Sequence, residues 1–205
     1  MKPTFILIAV CFLFVSAFAK AADDWVLEIE KEGIRVYTQL DAGSPYKQVK
    51  VTTTIDASME RVLEILMSFG HYKNWMYHVT ESYLINRSDE ETYYVFTLED
   101  ASWPMQNRYQ VSRVNVEQSS TEATVRFRSV PNYIEKRTDA IQIKQNEGYW
   151  SLKSRPNHQC TLEYVIIQNP GGHVPPWLAN FNAVENPYFS VMNLKKQAER
   201  ENLRP

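Results

Sequence analysis

N-P-G-G-H-V-P-P-W-L-A-N, Asn169 to Asn180, separates an alternating, strand-like run (Cys160 to Gln168) from a final segment that can be helical to the C-terminus. Pro170 has no N–H to give a sheet ladder, and Gly171-Gly172 admits backbone angles closed to other residues, so the strand ends here. Pro175 and Pro176 suit the first positions of a helix, where amide hydrogens lack an intrahelical acceptor anyway. Trp177, Leu178 and Phe181 follow at helical spacing and predict one apolar face. Two readings stand at this point: a strand-to-helix turn, or a hinge that lays a long helix across a concave sheet.

Upstream of the turn, nearly everything from Val79 reads as strand: Val79 to Ile85, Thr92 to Leu98, Gln106 to Val116, Glu122 to Val130, Ala140 to Lys144, Gly148 to Lys153 and Cys160 to Gln168. Ser88-Asp89, Ser119-Ser120, Asn146-Glu147-Gly148 and Pro156-Asn157 supply the turns. Earlier still, Asp24 to Glu32 is expected as a short opening helix, with Trp25 and Ile29 on one face and Gly33 ending it. Ile34 to Thr38 and Tyr46 to Ile55 are strands, the second with Val49, Val51, Thr53 and Ile55 on one side. Asp56-Ala57-Ser58 offers N-caps for a helix from Met59 to about Phe69, ended by Gly70, whose Val62, Ile65, Leu66 and Phe69 form an apolar stripe. His71 to His78 is an aromatic-rich loop. Successive strands with short turns form an antiparallel meander, and helices gathered on one side of it give an α+β domain.

The first residues read as an export signal: Lys2, an apolar run of eleven residues from Phe5 to Val15, and the small-x-small pattern Ala17-Phe18-Ala19. Phe5 to Ala19 is fifteen residues, short of the roughly twenty that span a bilayer. Cleavage is expected after 19, or as late as 22, leaving one domain over 24–200, exported to a periplasm or alternatively secreted. Cys11 leaves with the signal, so Cys160 has no internal disulfide partner and reads as a small packed hydrophobe. A net charge of −2 with interspersed signs gives no footprint for nucleic acid. Five Trp, twelve Tyr and nine Phe imply either a bulky core or a lined cavity.

Two motifs carry a family resemblance. One is Trp103-Pro104-Met105-Gln106-Asn107-Arg108, opening the central strand; the other is Pro-Gly-Gly-x-x-Pro-x-Trp-Leu-x-Asn, Pro170 to Asn180. In this order, with the matching order of strands and helices, they resemble the StAR-related lipid-transfer (START) domain from roughly Trp25 to Lys196. The resemblance implies a helix-grip fold, a curved antiparallel sheet wrapped around a long C-terminal helix with an apolar tunnel for one lipid. It implies a lid from Pro176 to about Arg200, hinged at Pro170, Gly171, Gly172 and Pro175 and including Trp177. Val184, Tyr188 and Val191 continue the apolar spacing past Phe181, and Pro187 is expected to kink the helix.

The candidate lining residues are Trp103, Met105, Arg108, Gln110, Ser112, Tyr133, Phe181 and Tyr188. In family members that carry choline lipids an aromatic cage holds the choline by cation–π attraction. Two cage positions fall at Gln110 and Asn146 here, and a phosphate-contacting arginine falls at Tyr72. The buried acid and arginine of sterol-binding members fall near Val95 and Val114. Arg108 has two readings, a headgroup anchor or a structural arginine on a carboxylate or carbonyls near the tunnel mouth, with Glu99 and Asp100 as candidate partners.

His71, His78, His158 and His173 sit in or beside predicted loops outside any metal or nucleophile motif. No cofactor or metal is implied. The expected function is non-catalytic binding and transfer of one hydrophobic ligand by a monomer that touches membranes transiently. The rival is a cyclase-like or hydrolytic enzyme on the same scaffold, which predicts a titratable cavity residue with a shifted pKa.

Overall fold

Val26–Lys31 (β1) and Ile34–Leu40 (β2) form an antiparallel hairpin. Its connection, Glu32-Gly33, has φ of 55° and 72°, the left-handed pair that a two-residue hairpin turn requires. The opening helix expected before Gly33 is therefore a strand. Trp25 and Ile29 suit a helix by spacing, but the left-handed pair that can end a helix here reverses a strand. The computed structural model describes residues 25–40, 43–101 and 106–201, so the signal segment lies outside the described residues.

Lys47–Ile55 (β3) leads to helix α1, Met59–Met67, whose Ser58 hydroxyl accepts from the Arg61 amide at 3.2 Å as an N-cap should. The helix stops at Met67, short of the expected Phe69, and a 3-10 turn, Phe69–Asn74, carries the chain on. Val79–Arg87 (β4), Thr92–Glu99 (β5), Arg108–Gln118 (β6) and Glu122–Ser129 (β7) form the meander. The strand expected over Ala140 to Lys144 shrinks to Ile141–Gln142 (β8), parallel to the start of β6. Gln145–Arg155 (β9) and Gln159–Asn169 (β10) complete a ten-stranded sheet in the order β1-β2-β3-β10-β9-β7-β6-β5-β4, with β8 beside β6. Pairing of β3 with β10 joins the opening strands β1 to β3 to the last strand of the meander, and leaves β1 and β4 at the edges of the sheet.

The C-terminal segment is two helices, α2 (Pro176–Phe181) and α3 (Glu185–Glu201). The expected mid-helix kink at Pro187 is absent because the break comes earlier, over residues 182–184. Pro187 is then the third residue of α3, where no intrahelical bond is forfeited. Val191, Leu194 and Ala198 of α3 are fully buried against α1 and the concave sheet, together with Ile34, Val36, Val51, Ile55, Leu152 and Leu162. Each such Val, Leu or Ile side chain contributes about 1.5–3 kcal/mol of burial.

Polar ties fix α3 further. Asn193 donates to the Trp75 carbonyl at 3.1 Å, the Tyr77 amide donates to the Ser190 hydroxyl at 3.0 Å, and Lys195 donates to the Thr54 carbonyl at 2.7 Å. Helix α2, by contrast, has no buried residue. A smaller cluster on the opposite face of the sheet, Phe96, Tyr109, Val111 and Ala140, packs under the segment between β7 and β8.

Candidate ligand-binding cavity

Period-two alternation on the central strands builds a cavity of about 410 Å³ between the sheet, the Tyr72–Val79 turn and the start of the C-terminal helices. On β5 the inward residues are Val95, Thr97 and Glu99; on β6 they are Arg108, Gln110, Ser112 and Val114. Strands β9 and β10 add Asn146 and Trp150, and Tyr164, Ile166 and Gln168. Register sorts these into two tiers. Trp150 pairs with Tyr164 and their rings stack at 3.6 Å, while Trp75 meets Trp150 edge-on at 5.9 Å. Four residues along the same strands, about 13 Å at 3.3 Å per residue, Asn146 pairs with Gln168, and on the neighbouring strands Glu99 pairs with Arg108.

The polar tier is connected. Gln110 donates to Glu99 at 3.4 Å, Gln168 also bonds this carboxylate, and Asn146 donates to the Gln110 carbonyl oxygen at 3.0 Å. Burial pushes the Glu99 carboxyl up to about 7, against the opposing pull of Gln168 and Arg108. Arg108 donates to the backbone carbonyls of Gln106 and Pro170, and burial holds its guanidinium below the usual arginine value. These bonds, which match the second of the two readings, tie the start of β6 to the turn after β10.

The turn between β10 and α2 is specified by glycine. Gly171 and Gly172 have φ of 70° and 67°, and a Cβ on Gly171 would stand 2.9 Å from the Gln142 carbonyl oxygen. The Gly171 amide donates to the Asn169 side chain at 3.0 Å, a local turn bond that a neutral acceptor satisfies. Asn180 clamps α2 to the approach of β3: its oxygen accepts from the Lys47 amide at 2.8 Å and its nitrogen donates to the Pro45 carbonyl at 2.9 Å.

Of the expected lining residues, Arg108, Gln110 and Ser112 face the cavity, and Trp103 and Met105 lie outside the described residues. Three are corrected. Tyr133 stacks on Tyr94 at 4.5 Å on the outer face of the sheet, because Tyr94 alternates with the inward Val95. Phe181 is 80% exposed, since the break after α2 ends the stripe that was expected to carry it inward. Tyr188 is buried in the core beside Phe189 rather than on the cavity wall. In α2, Leu178 and Ala179 face the cavity, while Trp177, expected on the same face as Leu178, points outward at 71% exposure.

Sequence reasoning missed Glu99 and Thr97 as lining residues; their alternation with Leu98 in a strand opposite Arg108 was the available signal. The five positions aligned with family ligand contacts, Tyr72, Val95, Gln110, Val114 and Asn146, all line the cavity. Cys160 is fully buried and its thiol is pushed up to about 11 by burial, which suits a packed residue and not a nucleophile.

No family model matches the chain. A solved STAR-related lipid transfer protein from Xanthomonas axonopodis superposes with a TM-score of 0.79 at 29% identity, covering 86% of this chain and 99% of that one. The chain is similar in fold and sequence to StAR-related lipid-transfer (START) proteins. Human phosphatidylcholine transfer protein is 28% identical over 172 residues, 80% of this chain and 79% of the relative. The Zhui aromatase/cyclase of Streptomyces sp. R1128 shares the fold more distantly, with a TM-score of 0.57 at 15% identity and coverage of 75% of this chain and 98% of that one. The helix-grip architecture of this chain is thus the curved sheet around α3, with α2 as a separate short piece.

Proposed function

We propose that this protein, like the START proteins it resembles, binds one lipid or similar hydrophobic molecule in the cavity and carries it, chemically unchanged, in the compartment to which it is exported. The observation that carries this reading is the cavity's two-tier wall, apolar and aromatic at Trp150 and Tyr164, polar at Glu99, Gln110 and Asn146. A volume near 410 Å³ falls within the range of small-molecule sites, which are mostly apolar with few orienting polar groups. Burial of ligand surface at about 25 cal/mol per Å² would supply the affinity.

The gate in this reading is α2 and the Pro170–Pro175 hinge, not the whole C-terminal segment. Helix α3 is anchored by buried side chains, whereas α2 is held by Asn180 and by Leu178 over the cavity. Trp177 and Phe181, four residues apart and both outward, make α2 the face that would meet a membrane transiently during exchange. The export signal and a monomeric state belong to the same proposal.

Titration with a brominated hexadecyl chain, followed by tryptophan fluorescence, tests it. Saturable one-to-one quenching that persists in Trp177→Phe and weakens in Trp150→Phe is expected. Absence of saturable quenching would reject the reading. Glu99, titrating near neutrality inside the cavity, has the range of a general acid–base. Mass analysis of recovered ligand separates catalysis from carriage: an altered molecule would favour an enzyme.

A further inference from the structure

The cavity stops at a definite row of the sheet. On β7, β9 and β10 the last inward residues to reach it are Val125, Trp150 and Tyr164. The next inward residues along those strands, Ala123, Leu152 and Leu162, are no more than 2% exposed and belong to the core. Val125 pairs with Trp150 and Trp150 with Tyr164, so the three side chains stand in one row across the concave face. We propose that this row is a closed floor that sets ligand size, admitting a single-chain lipid and excluding sterols and phospholipids with two long chains. The inference rests on the carrier reading above and specifies its ligand class.

The floor is held from behind. Trp150 stacks on Tyr164 at 3.6 Å, and Trp75, 1% exposed, meets Trp150 edge-on at 5.9 Å and Tyr72 at 5.2 Å. The Tyr72 hydroxyl donates to the Leu66 carbonyl at 2.8 Å, which fixes that ring to the end of α1. Rings packed edge to face at interior density do not move aside without repacking their neighbours. A chain that reaches Trp150 and Tyr164 therefore ends there.

Volume and length give the same limit. An apolar cavity of about 150 Å³ holds one benzene, roughly 25 Å³ per carbon. At that density a cavity of about 410 Å³ takes about sixteen non-hydrogen atoms. Pro170, at the turn, lies six residues beyond Tyr164 and also lines the cavity, a span of about 20 Å at 3.3 Å per residue. An extended chain advances about 1.2 Å per bond, so about sixteen bonds separate the floor from the turn. A phospholipid with two long acyl chains far exceeds both limits. A sterol exceeds the volume, and its fused rings cannot compact to fit.

The experiment ranks straight-chain 1-alkanols of eight to twenty-two carbons by their displacement of a fluorescent acyl probe. Dipalmitoyl phosphatidylcholine and cholesterol are offered to the same protein in native mass spectrometry. Affinity is expected to rise about fourfold per methylene up to about sixteen carbons and then to level or fall, with no phospholipid or sterol adduct. Trp150→Leu lowers the floor and should carry the rise on by about three to six carbons. Val125→Phe raises it and should stop the rise about four carbons earlier; either variant suffices where the other fails to fold. A rise unbroken to twenty-two carbons, or a one-to-one adduct of the phospholipid or the sterol, would overturn the inference and leave the carrier reading standing. A break at the same length in a folded variant would overturn the assignment to these residues. Failure of the probe and of every alkanol to bind would overturn both readings.

Discussion

Glu99 is a carboxyl that burial holds well above its ordinary range. Its folded pKa, near 7, lies above the unfolded value, so the folded state holds the proton more tightly. The stability this brings is complete below the unfolded pKa of about 4.3 and is lost as pH rises through about 7. Glu99→Gln should therefore flatten the decline in stability between pH 5 and pH 8, gaining about 1–3 kcal/mol at the alkaline end, read by urea unfolding at each pH. An unchanged slope would show that another group titrates. At Gly148 the constraint is steric: a Cβ would lie 1.9 Å from the Val165 carbonyl oxygen and 2.8 Å from the Phe127 ring. Strands β7 and β10 hold that position from both sides, so Gly148→Ala should cost about 2–3 kcal/mol and lower Tm by several degrees in a thermal melt.

Among the elements, α2 and α3 divide what one lid was expected to do. Asn180→Ala removes two hydrogen bonds between α2 and the approach of β3, worth together about 1–2 kcal/mol. Because α2 buries no side chain, that loss should appear as local opening, with ligand exchange about 5–30 times faster in stopped-flow displacement and Tm nearly unchanged. A large fall in Tm would mean that α2 is integral to the core. The strands were legible in the sequence because alternation survives wherever one face is buried, as at Val49, Val51, Thr53 and Ile55. The opening strand β1 was not, because an exposed edge strand is held by its ladder and leaves no periodic signal. Nor was the break at residues 182–184: the apolar spacing from Trp177 to Val191 runs through it, and phase alone does not register a change of axis. Within the site, Gln110 and Ser112 could be placed from strand parity once Arg108 was fixed, whereas Tyr133 depends on how a long connection folds over the outer face.

For the molecule as a whole, the two most exposed large apolar side chains among the described residues, Trp177 and Phe181, both stand on α2 at the edge of the cavity. Replacing both Trp177 and Phe181 by serine should leave stability within about 0.5 kcal/mol, as for exposed positions generally. The same change should slow extraction of ligand from lipid vesicles, measured by transfer between donor and acceptor populations. Unaltered transfer would remove α2 as the membrane-facing element while leaving the cavity untouched. The central claim is that a single ligand occupies the space between the sheet and the helices. Native mass spectrometry of the protein recovered from its host, beside a Val114→Phe variant that narrows the cavity, tests it most directly. The account predicts one bound lipid-mass species on the unaltered protein and little or none on the folded variant. Equal occupancy of the two, or no adduct on either even after exposure to hexadecyl amphiphiles, would contradict it.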